Sequence, residues 1–515
     1  MSENRVDPTP VPASPIIPST GLAEGDWHRL HPATPLLKGG IALIAILGIV
    51  LANLRERLID LFIGAGSPEG DPIDWLLAEG YLPLALLAVA VVLALLVVGF
   101  YLSWRMSSYR ITEEVVEVRS GIIFRTNRKA RLDRIQGINI VRPFFARLFG
   151  AAKLEVNQAG QDANVQLAYL RSAQADALRR DILLLASGTH RAEAAAAPAA
   201  TGGLIDQRVH ELLAPELDPN AAPPESVVKL SVGRLAGSLA LSEPAMWLAV
   251  LIIGSVVGAV WSGVFFSAFG IVPAVIGIGS FLISRFTKSL RYSIAGTPDG
   301  VRVGFGLLTT SNETLPPGRI HSVQVSQSLL WRGLGWWQIK VNRASRSSTS
   351  GAAGQENTTI LPVGSVDDVA KVLELLLPDI EQRELIITGL SSKGGDDGFV
   401  NSPKRAAVLR WFSWRRNGFA LVPGAVLLRK GAIWREMVIV PQPRIQSVAL
   451  RQGPLLRWLG LAAVQLHTVA GPITPTLGAI DKATGIRLFA ETADAAVASA
   501  LRDTTHRWRA GEATA

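Results

Sequence analysis

Two kinds of hydrophobic pattern alternate along the chain. The first is a long, uninterrupted apolar run, as in Tyr81–Trp104, which has no charged residue and carries aromatic residues at both ends. About 20 such residues in a helix cross the roughly 30 Å hydrocarbon core of a bilayer, and aromatic residues favour its two interfaces. Residues 244–284 also lack any ionisable side chain. Their length predicts two crossings joined by a tight turn near residues 261–270.

The apolar run nearest the N-terminus, residues 41–54, is shorter than a membrane span requires. A helix over residues 36–57 reaches the required length if the amine of Lys38 extends toward the interface. We therefore predict four membrane helices in two hairpins, at about 36–57 and 81–104 and at about 244–263 and 266–286. Residues 55–80 hold two arginines against six acidic residues, whereas the other flanks are basic. Since basic flanks stay in the cytoplasm, both termini and everything after each hairpin should lie there.

The second pattern is a short stretch in which apolar and polar residues alternate, as in half-buried β-strands. It occurs three times, as RIQGINIVRPFFARLFG (134–150), RIHSVQVSQSLLWRGLG (319–335) and RIQSVALRQGPLLRWLG (444–460). Each copy opens with Arg-Ile, has an arginine thirteen positions later and a glycine sixteen positions later, and follows a glycine thirteen positions earlier. The matched residues are Gly121, Gly306 and Gly431, then Arg147, Arg332 and Arg457, then Gly150, Gly335 and Gly460. These fixed spacings predict a triplicated module.

Every copy predicts the same order of elements. A β-hairpin comes first, then the alternating strand, a short helix that ends at the repeat glycine, another strand and a closing amphipathic helix. The hairpins are Tyr109–Arg119, Tyr292–Val303 and Phe419–Arg429, and the closing helices are Ser172–Leu185, Ser365–Leu377 and Glu491–Arg502. The second closing helix begins with a capping-box-like S-V-D-D. Antiparallel strands closed by one helix indicate an α+β fold.

The repeated Arg-Ile strand, the short helix ending at glycine and the attached hairpins resemble the bacterial pleckstrin-homology (PH) domain membrane proteins of the YdbT-like type. The resemblance implies three PH-like β-sandwich or barrel domains, each with a C-terminal helix, on the cytoplasmic face of the bacterial inner membrane. Only the first two copies are attached to transmembrane hairpins. The expected organisation is a Pro-rich tail (1–26), a hairpin (27–104), domain 1 (105–187), a linker (188–226), a hairpin (227–288), domain 2 (289–380), a linker (381–403), domain 3 (404–505) and a tail (506–515).

Composition narrows the chemistry. The 515-residue chain contains no cysteine, which excludes disulfides, zinc-thiolate sites and thiol nucleophiles. It contains no nucleophile elbow, Walker loop or zinc-protease motif, and the membrane runs carry no charged residue near mid-span, which argues against ion-coupled transport by this chain alone. We expect no enzymatic activity, cofactor or metal. The formal charge of +9 is largely explained by basic membrane flanks, so we expect no nucleic-acid partner.

Two groups of residues are candidates for interaction. Arg147, Arg332 and Arg457 either contact a lipid headgroup or a partner's carboxylate, or tie the short helix to its own sheet, and their recurrence favours the structural role. The sheet edges and the Trp-rich second copy, with Trp331, Trp336 and Trp337, are candidate contact surfaces.

The other group lies where the third copy would leave a membrane. It combines five cations with three aromatic residues, namely Lys404, Arg405, Arg410, Trp411, Phe412, Trp414, Arg415 and Arg416. Such a mixture suits an anionic membrane interface, but the aromatic residues could equally pack on the third domain's core. The function expected from all of this is a membrane scaffold that binds proteins and lipid headgroups, and that associates with itself or with a smaller PH-like membrane protein. The resemblance implies a role in envelope stress or toxin resistance, and the alternative is an auxiliary subunit of a transporter or export complex.

Overall fold

The computed structural model describes residues 25–34, 37, 81–112, 114–121, 125–158, 164–186, 227–262, 271–297, 300–316, 318–343, 358–380 and 382–503. Within these ranges three modules recur, each made of antiparallel strands and closed by a helix. The predicted span at 36–57, the first linker and both tails lie almost wholly outside the described residues.

Module 1 follows helix α1 (Leu82–Arg105). Its elements are β1 (His28–Arg29), β2 (Ser108–Ile111), β3 (Val115–Ser120), β4 (Thr126–Arg131), β5 (Ile135–Arg142), α2 (Phe144–Leu148), β6 (Ala151–Gln158), β7 (Val165–Arg171) and α3 (Ser172–Ala186). The glycine after α2, Gly150, has a φ of 63°. A left-handed residue of this kind ends a helix without a Cβ clash, so the predicted role of the repeat glycine is confirmed.

Module 2 begins with β8 (Val228–Lys229) and three helices, α4 (Val232–Ala240), α5 (Glu243–Ser262) and α6 (Val272–Lys288). It continues with β9 (Ser293–Thr297), β10 (Gly300–Phe305), β11 (Thr310–Leu315), β12 (Ile320–Gln327), β13 (Trp337–Arg343), β14 (Thr359–Gly364) and α7 (Val366–Leu376). Ser365 and Asp368 form the capping box of α7, as the S-V-D-D sequence predicts.

Module 3 begins with helix α8 (Arg383–Ser391). Its other elements are β15 (Val400–Asn401), β16 (Gly418–Val422), β17 (Ala425–Lys430), β18 (Arg435–Pro441), β19 (Ser447–Arg451), α9 (Pro454–Trp458), β20 (Leu461–His467), β21 (Thr476–Asp481) and α10 (Lys482–Arg502). The prediction of a linker over 381–403 is therefore wrong at α8, where Ile386 and Leu390 are buried in the core. The closing helix begins nine residues before the predicted Glu491.

The sheets cross the boundaries between modules. Strands β5–β7 of module 1 join β8–β11 of module 2 in one seven-stranded sheet, and β12–β14 join β15–β18 of module 3 in another. The junctions are the antiparallel pairs β5–β11 and β12–β18. At the ends of the series remain a four-stranded sheet, β1–β4, and a three-stranded sheet, β19–β21. Backbone hydrogen bonds therefore couple neighbouring modules directly.

Side chains strengthen these junctions. Residues on both sides of the β12–β18 pair, such as Val325 and Met437, lie in one continuous hydrophobic core. Asn342 of β13 donates to the carbonyl oxygen of Ile473 over 2.7 Å and accepts from its amide over 3.0 Å. Burial of a fully satisfied amide side chain between modules 2 and 3 fixes their relative position.

The three longest apolar helices match the apolar runs of the sequence. α5 and α6 contact each other and correspond to the predicted spans at 244–263 and 266–286, while α1 corresponds to the span at 81–104. Among the described residues one helix, Glu243–Trp261, is long and apolar enough to cross a membrane by composition, with a mean hydropathy of 2.0 and 6% of the window buried. Four spans therefore go beyond what the described helices establish.

Candidate interaction surfaces

Each module exposes apolar side chains on the short segment after its repeat strand. This segment is α2 in module 1 and α9 in module 3, whereas residues 329–335 of module 2 form consecutive turns. Phe145, Leu330 and Leu455 share one repeat position and are 56%, 40% and 51% exposed. An apolar residue that stays exposed in all three copies suits contact with another surface.

The recurrent arginine of this segment points toward the following module. The Nη1 atom of Arg147 donates to the carbonyl oxygen of Leu307, in the β10–β11 turn of module 2, over 3.2 Å. Arg332 lies beside module 3, where burial lowers the pKa of Arg435 and the charge of Arg332 lowers it further. Arg457, in module 3, is exposed. This contact of Arg147 crosses to the next module, and the expectation that the recurrent arginine also ties the short helix to its own sheet stays a prediction.

The three tryptophans of module 2 do not form one surface. Trp337 is 2% exposed and belongs to the core. Trp336 packs against Gly237 of α4, where an added Cβ would lie 2.9 Å from the indole ring, and it meets Trp331 edge to face with ring centroids 6.4 Å apart. The cluster therefore holds α4 and the short segment against the module.

The basic and aromatic segment at 404–416 divides into an exposed part and a packed part. Trp411 and Phe412 are 75% and 66% exposed and stack on each other with ring centroids 4.6 Å apart. Lys404 and Arg415 are also exposed, and Arg415 lies over the ring of Trp414 at 5.3 Å. Trp414 itself is half-buried against the cluster around Ala406. The packing alternative therefore holds for Trp414, whereas Trp411 and Phe412 are exposed and their contact with a membrane interface stays a prediction.

Three of the predicted interface arginines are engaged with the protein. Arg405 pairs with Asp481 and donates to the carbonyl oxygen of Gly460. Arg410 is half-buried over Gly478, and burial lowers its pKa.

The third, Arg416, is not on the surface at all, which corrects its assignment to a membrane interface. It is 2% exposed and donates to five carbonyl oxygens at 2.8–3.2 Å, those of Gly389, Leu390, Ser392, Lys430 and Gly431. Burial, followed by repulsion from Arg429, Arg435 and Arg332, lowers its pKa to about 9. It remains a cation at neutral pH and fastens the end of α8 to the β17–β18 turn.

The exposed aromatic pair borders a cleft that the sequence did not indicate. A cavity of about 670 Å³ is lined by Trp411 and Phe412 together with Ile433, Trp434 and Leu456. Trp434 is 66% exposed and comes from the β17–β18 turn. We call Trp411, Phe412, Ile433, Trp434 and Leu456 the aromatic cleft. Its lining suits the acyl and glycerol region of lipids or the apolar face of a protein partner.

Two strand edges are the other candidate surfaces, of the kind that the sequence analysis expected without placing them. β4 pairs only with β3, and β19 pairs only with β20, among the strands that the structure describes. Glu117 of β3 holds two side chains of β4, since it accepts a hydrogen bond from Asn127 over 2.7 Å and lies 3.7 Å from the amine of Lys129. It also accepts from Arg110 of β2 over 2.7 Å, and Arg128 of β4 donates to the carbonyl oxygen of Asn164. Burial alone would raise the pKa of Glu117, but these hydrogen bonds and positive charges lower it to about 2. The β4 edge is therefore fixed in an extended form by its own sheet.

Among the described residues, no three His, Asp or Glu side chains lie close enough together to hold a metal ion.

The chain matches a known protein family, and the matches follow the same threefold repeat. The family model described as the bacterial PH domain matches three times, at residues 60–186, 244–380 and 386–496. The matches cover more than half of the chain and coincide with modules 1, 2 and 3, and the third begins inside α8. No curated protein matches the chain.

Proposed function

The chain belongs to the bacterial PH domain family, and on that premise we propose that it is a non-enzymatic membrane scaffold that presents three linked PH-like modules to partners in the cytoplasm. The observation that carries the proposal is the pair of sheets shared between modules. They join three modules into one series of surfaces whose relative positions are set by backbone hydrogen bonds.

Attachment to a bacterial inner membrane is supported by the apolar helices. α5 is almost entirely uncovered by the rest of the protein, and α1 exposes large apolar side chains, among them Leu84, Leu87 and Leu95. In water such surfaces would cost about 25 cal/mol per Å² of exposed apolar area. A bilayer removes that cost, and the basic residues at the end of α6, Arg285 and Lys288, suit its cytoplasmic side.

The aromatic cleft supports a further contact of module 3 with the membrane surface. This module has no hairpin in front of it, yet Trp411 and Phe412 lie next to Lys404 and Arg415, which are exposed and can meet anionic headgroups. We propose that the cleft gives module 3 an interfacial contact with lipid, in place of a membrane-spanning anchor.

Single-cysteine labelling tests the membrane arrangement, because the natural chain contains no cysteine. Glu69→Cys places a thiol between the first two predicted spans, and Lys404→Cys places one on module 3. In intact spheroplasts a membrane-impermeant maleimide should label the Glu69→Cys variant, whereas the Lys404→Cys variant should react only after permeabilisation. Labelling of both variants in intact spheroplasts, or release of the chain by alkaline carbonate, would overturn the proposed arrangement.

A further inference from the structure

Among the described strands, one kind of contact between modules is made twice, and one strand of module 1 and one of module 3 that could make it again do not. At the first junction five residues of β11 pair with β5, from Thr310 opposite Arg142 to Thr314 opposite Ile138. At the second, five residues of β18 pair with β12, from Ile439 opposite Val323 to Arg435 opposite Gln327. Two strands of the repeat thus serve contacts between modules. One of them, β5 or β12, pairs with the next module, and the other, β11 or β18, pairs with the previous module.

The two junctions have the same register. Ile138 lies four residues after the repeat arginine Arg134, and its partner Thr314 lies five residues before Arg319. Val323 lies four residues after Arg319, and its partner Ile439 lies five residues before Arg444. An identical register in two copies with different side chains shows that the pairing belongs to the repeat itself.

The unused halves are β19 and β4. β19 is the counterpart of β5 and β12, and β4 is the counterpart of β11 and β18. β4 is far more exposed than its counterpart β11. It exposes Thr126, Asn127, Arg128 and Lys129, whereas five of the six residues of β11 are buried. β19 is half-buried to exposed throughout, whereas seven of the eight residues of β5 are buried. Arg457, whose counterpart Arg147 bonds to the next module, is exposed at the same end.

We propose that β19 of one copy pairs antiparallel with β4 of a second copy of this chain, in the register of the internal junctions. A second copy of the chain is thus a partner of the proposed scaffold. The pairing rests on that proposed function only because both copies must lie in one membrane. The residue pairs it predicts are Val448 opposite Lys129, Ala449 opposite Arg128, Leu450 opposite Asn127, Arg451 opposite Thr126 and Gln452 opposite Arg125.

The side chains fit this occupant. Thr126 and Asn127 stand where β11 has Ser311 and Asn312, and Val448 and Leu450 stand where β5 has Ile138 and Ile140. In the predicted register no cation lies opposite another cation, although β4 carries several, and like charges directly opposite would weaken the pair. Cations on an open edge discourage pairing with most other strands. They favour a strand such as β19, which places no positive charge directly opposite them.

The contact is head to tail, since it joins different surfaces of two identical chains. The second copy keeps its own β19 free, so the series either closes into a ring or continues as a row in the membrane plane. In both cases each added copy lengthens the same succession of shared sheets.

Disulfide cross-linking of the full chain in native membranes tests the register. Ala449→Cys and Arg128→Cys are co-expressed on separately tagged copies and oxidised, with Ala449→Cys plus Thr126→Cys as the off-register control. Directly opposite residues have Cβ atoms about 4.5–5.5 Å apart and diagonal ones about 7–8 Å, so the first pair should give about tenfold more linked dimer, at twice the 55.0 kDa chain mass. Equal yields from both pairs, no dimer, or a dimer from Ala449→Cys alone would overturn the proposal.

A charge exchange checks the same contact without a disulfide. Ala449→Lys places a cation opposite Arg128 and should convert the assembly in native mass spectrometry to single chains, and adding Arg128→Glu in the same chain should restore it. A natural chain that is already a single copy, or a β19 cross-linked to a different protein, would overturn the choice of a second copy. The maleimide labelling of Glu69→Cys and Lys404→Cys is measured in the same membranes. It tests the membrane arrangement, whereas the cross-linking tests the strand pairing, so the failure of one is distinguished from the failure of the other.

Discussion

Arg147 and Leu307 belong to different modules, and the guanidinium of the first donates to the carbonyl oxygen of the second over 3.2 Å. Arg147 is only 8% exposed in this position. The repeat carries the same arginine at Arg457 in module 3, where the side chain is exposed. The same repeat position therefore bridges two modules at Arg147 and faces solvent at Arg457.

Replacement of Arg147 by alanine should lower the stability of the junction between modules 1 and 2. Loss of one charge-assisted hydrogen bond that leaves a carbonyl group unpaired costs about 1–3 kcal/mol. Arg457→Ala is the matched control, because it removes the same side chain from the same repeat position without a cross-module contact. Thermal unfolding followed by tryptophan fluorescence should show a lower Tm for Arg147→Ala only, and equal losses in the two variants would contradict the bridging role.

Arg416 offers a sharper test of a buried cation. Arg416→Lys keeps the charge but cannot reach five carbonyl oxygens, so several buried acceptors lose their partner, and we expect a loss of about 3 kcal/mol or more. Arg415→Lys changes the neighbouring, exposed arginine and should leave stability almost unchanged. Limited proteolysis should show faster cleavage in module 3 for Arg416→Lys alone. Wild-type resistance in that variant would show that the carbonyl contacts are dispensable.

Much of the repeated module could be predicted from the sequence, because its signals are local. Gly121, Gly306 and Gly431 have φ values of 110°, 108° and 79°, and their spacing from the repeat arginine identifies them as strand turns. The Ser365 cap is likewise a property of four consecutive residues. Such features depend on backbone conformation within a few positions, so a pattern along the chain carries them.

The connections between modules could not be predicted in this way. A strand that pairs within its own module and one that pairs with the next have the same alternation, since both use the same backbone groups. The interface prediction is wrong for Arg416 because a cation among aromatic residues is typical of a membrane surface, while its acceptors at the end of α8, Gly389 and Leu390, are 27 and 26 residues away along the chain. The linker prediction included α8 because the Ser, Gly and Asp residues that follow it are typical of a linker.

The aromatic cleft makes a prediction about lipid contact. Phe412→Cys labelled with an environment-sensitive fluorophore should be quenched by spin-labelled lipid in proteoliposomes containing anionic phospholipid. Leu501→Cys is the control, because Leu501 is 85% exposed but lies on α10, outside the cleft. Quenching should weaken at high salt, since headgroup attraction to Lys404 and Arg415 is screened. The same weak quenching at both positions would contradict an interfacial role for the cleft.

His321 makes the stability of the chain depend on pH. Burial, followed by repulsion from Arg444 and Arg319, lowers its pKa to about 4, below the usual value near 6.5. Between these pH values the unfolded chain therefore binds a proton at His321 that the folded chain does not bind. The contribution of neutral His321 to the free energy of unfolding is complete above pH 6.5 and is lost as the pH falls toward 4. This shift is worth at most about 3.5 kcal/mol, at about 1.4 kcal/mol for each pKa unit.

The repeat itself supplies the variant that tests this. Gln136 and Gln446 occupy the position of His321 in the other two copies, so His321→Gln should fold normally and remove part of the loss. We expect the Tm of the natural chain to fall more steeply than that of His321→Gln between about pH 6.5 and 4, with the two curves parallel between about pH 7 and 8. Parallel curves across the whole range would mean that His321 is protonated as readily in the folded chain as in the unfolded one, and that the arginines beside it do not repel its charge.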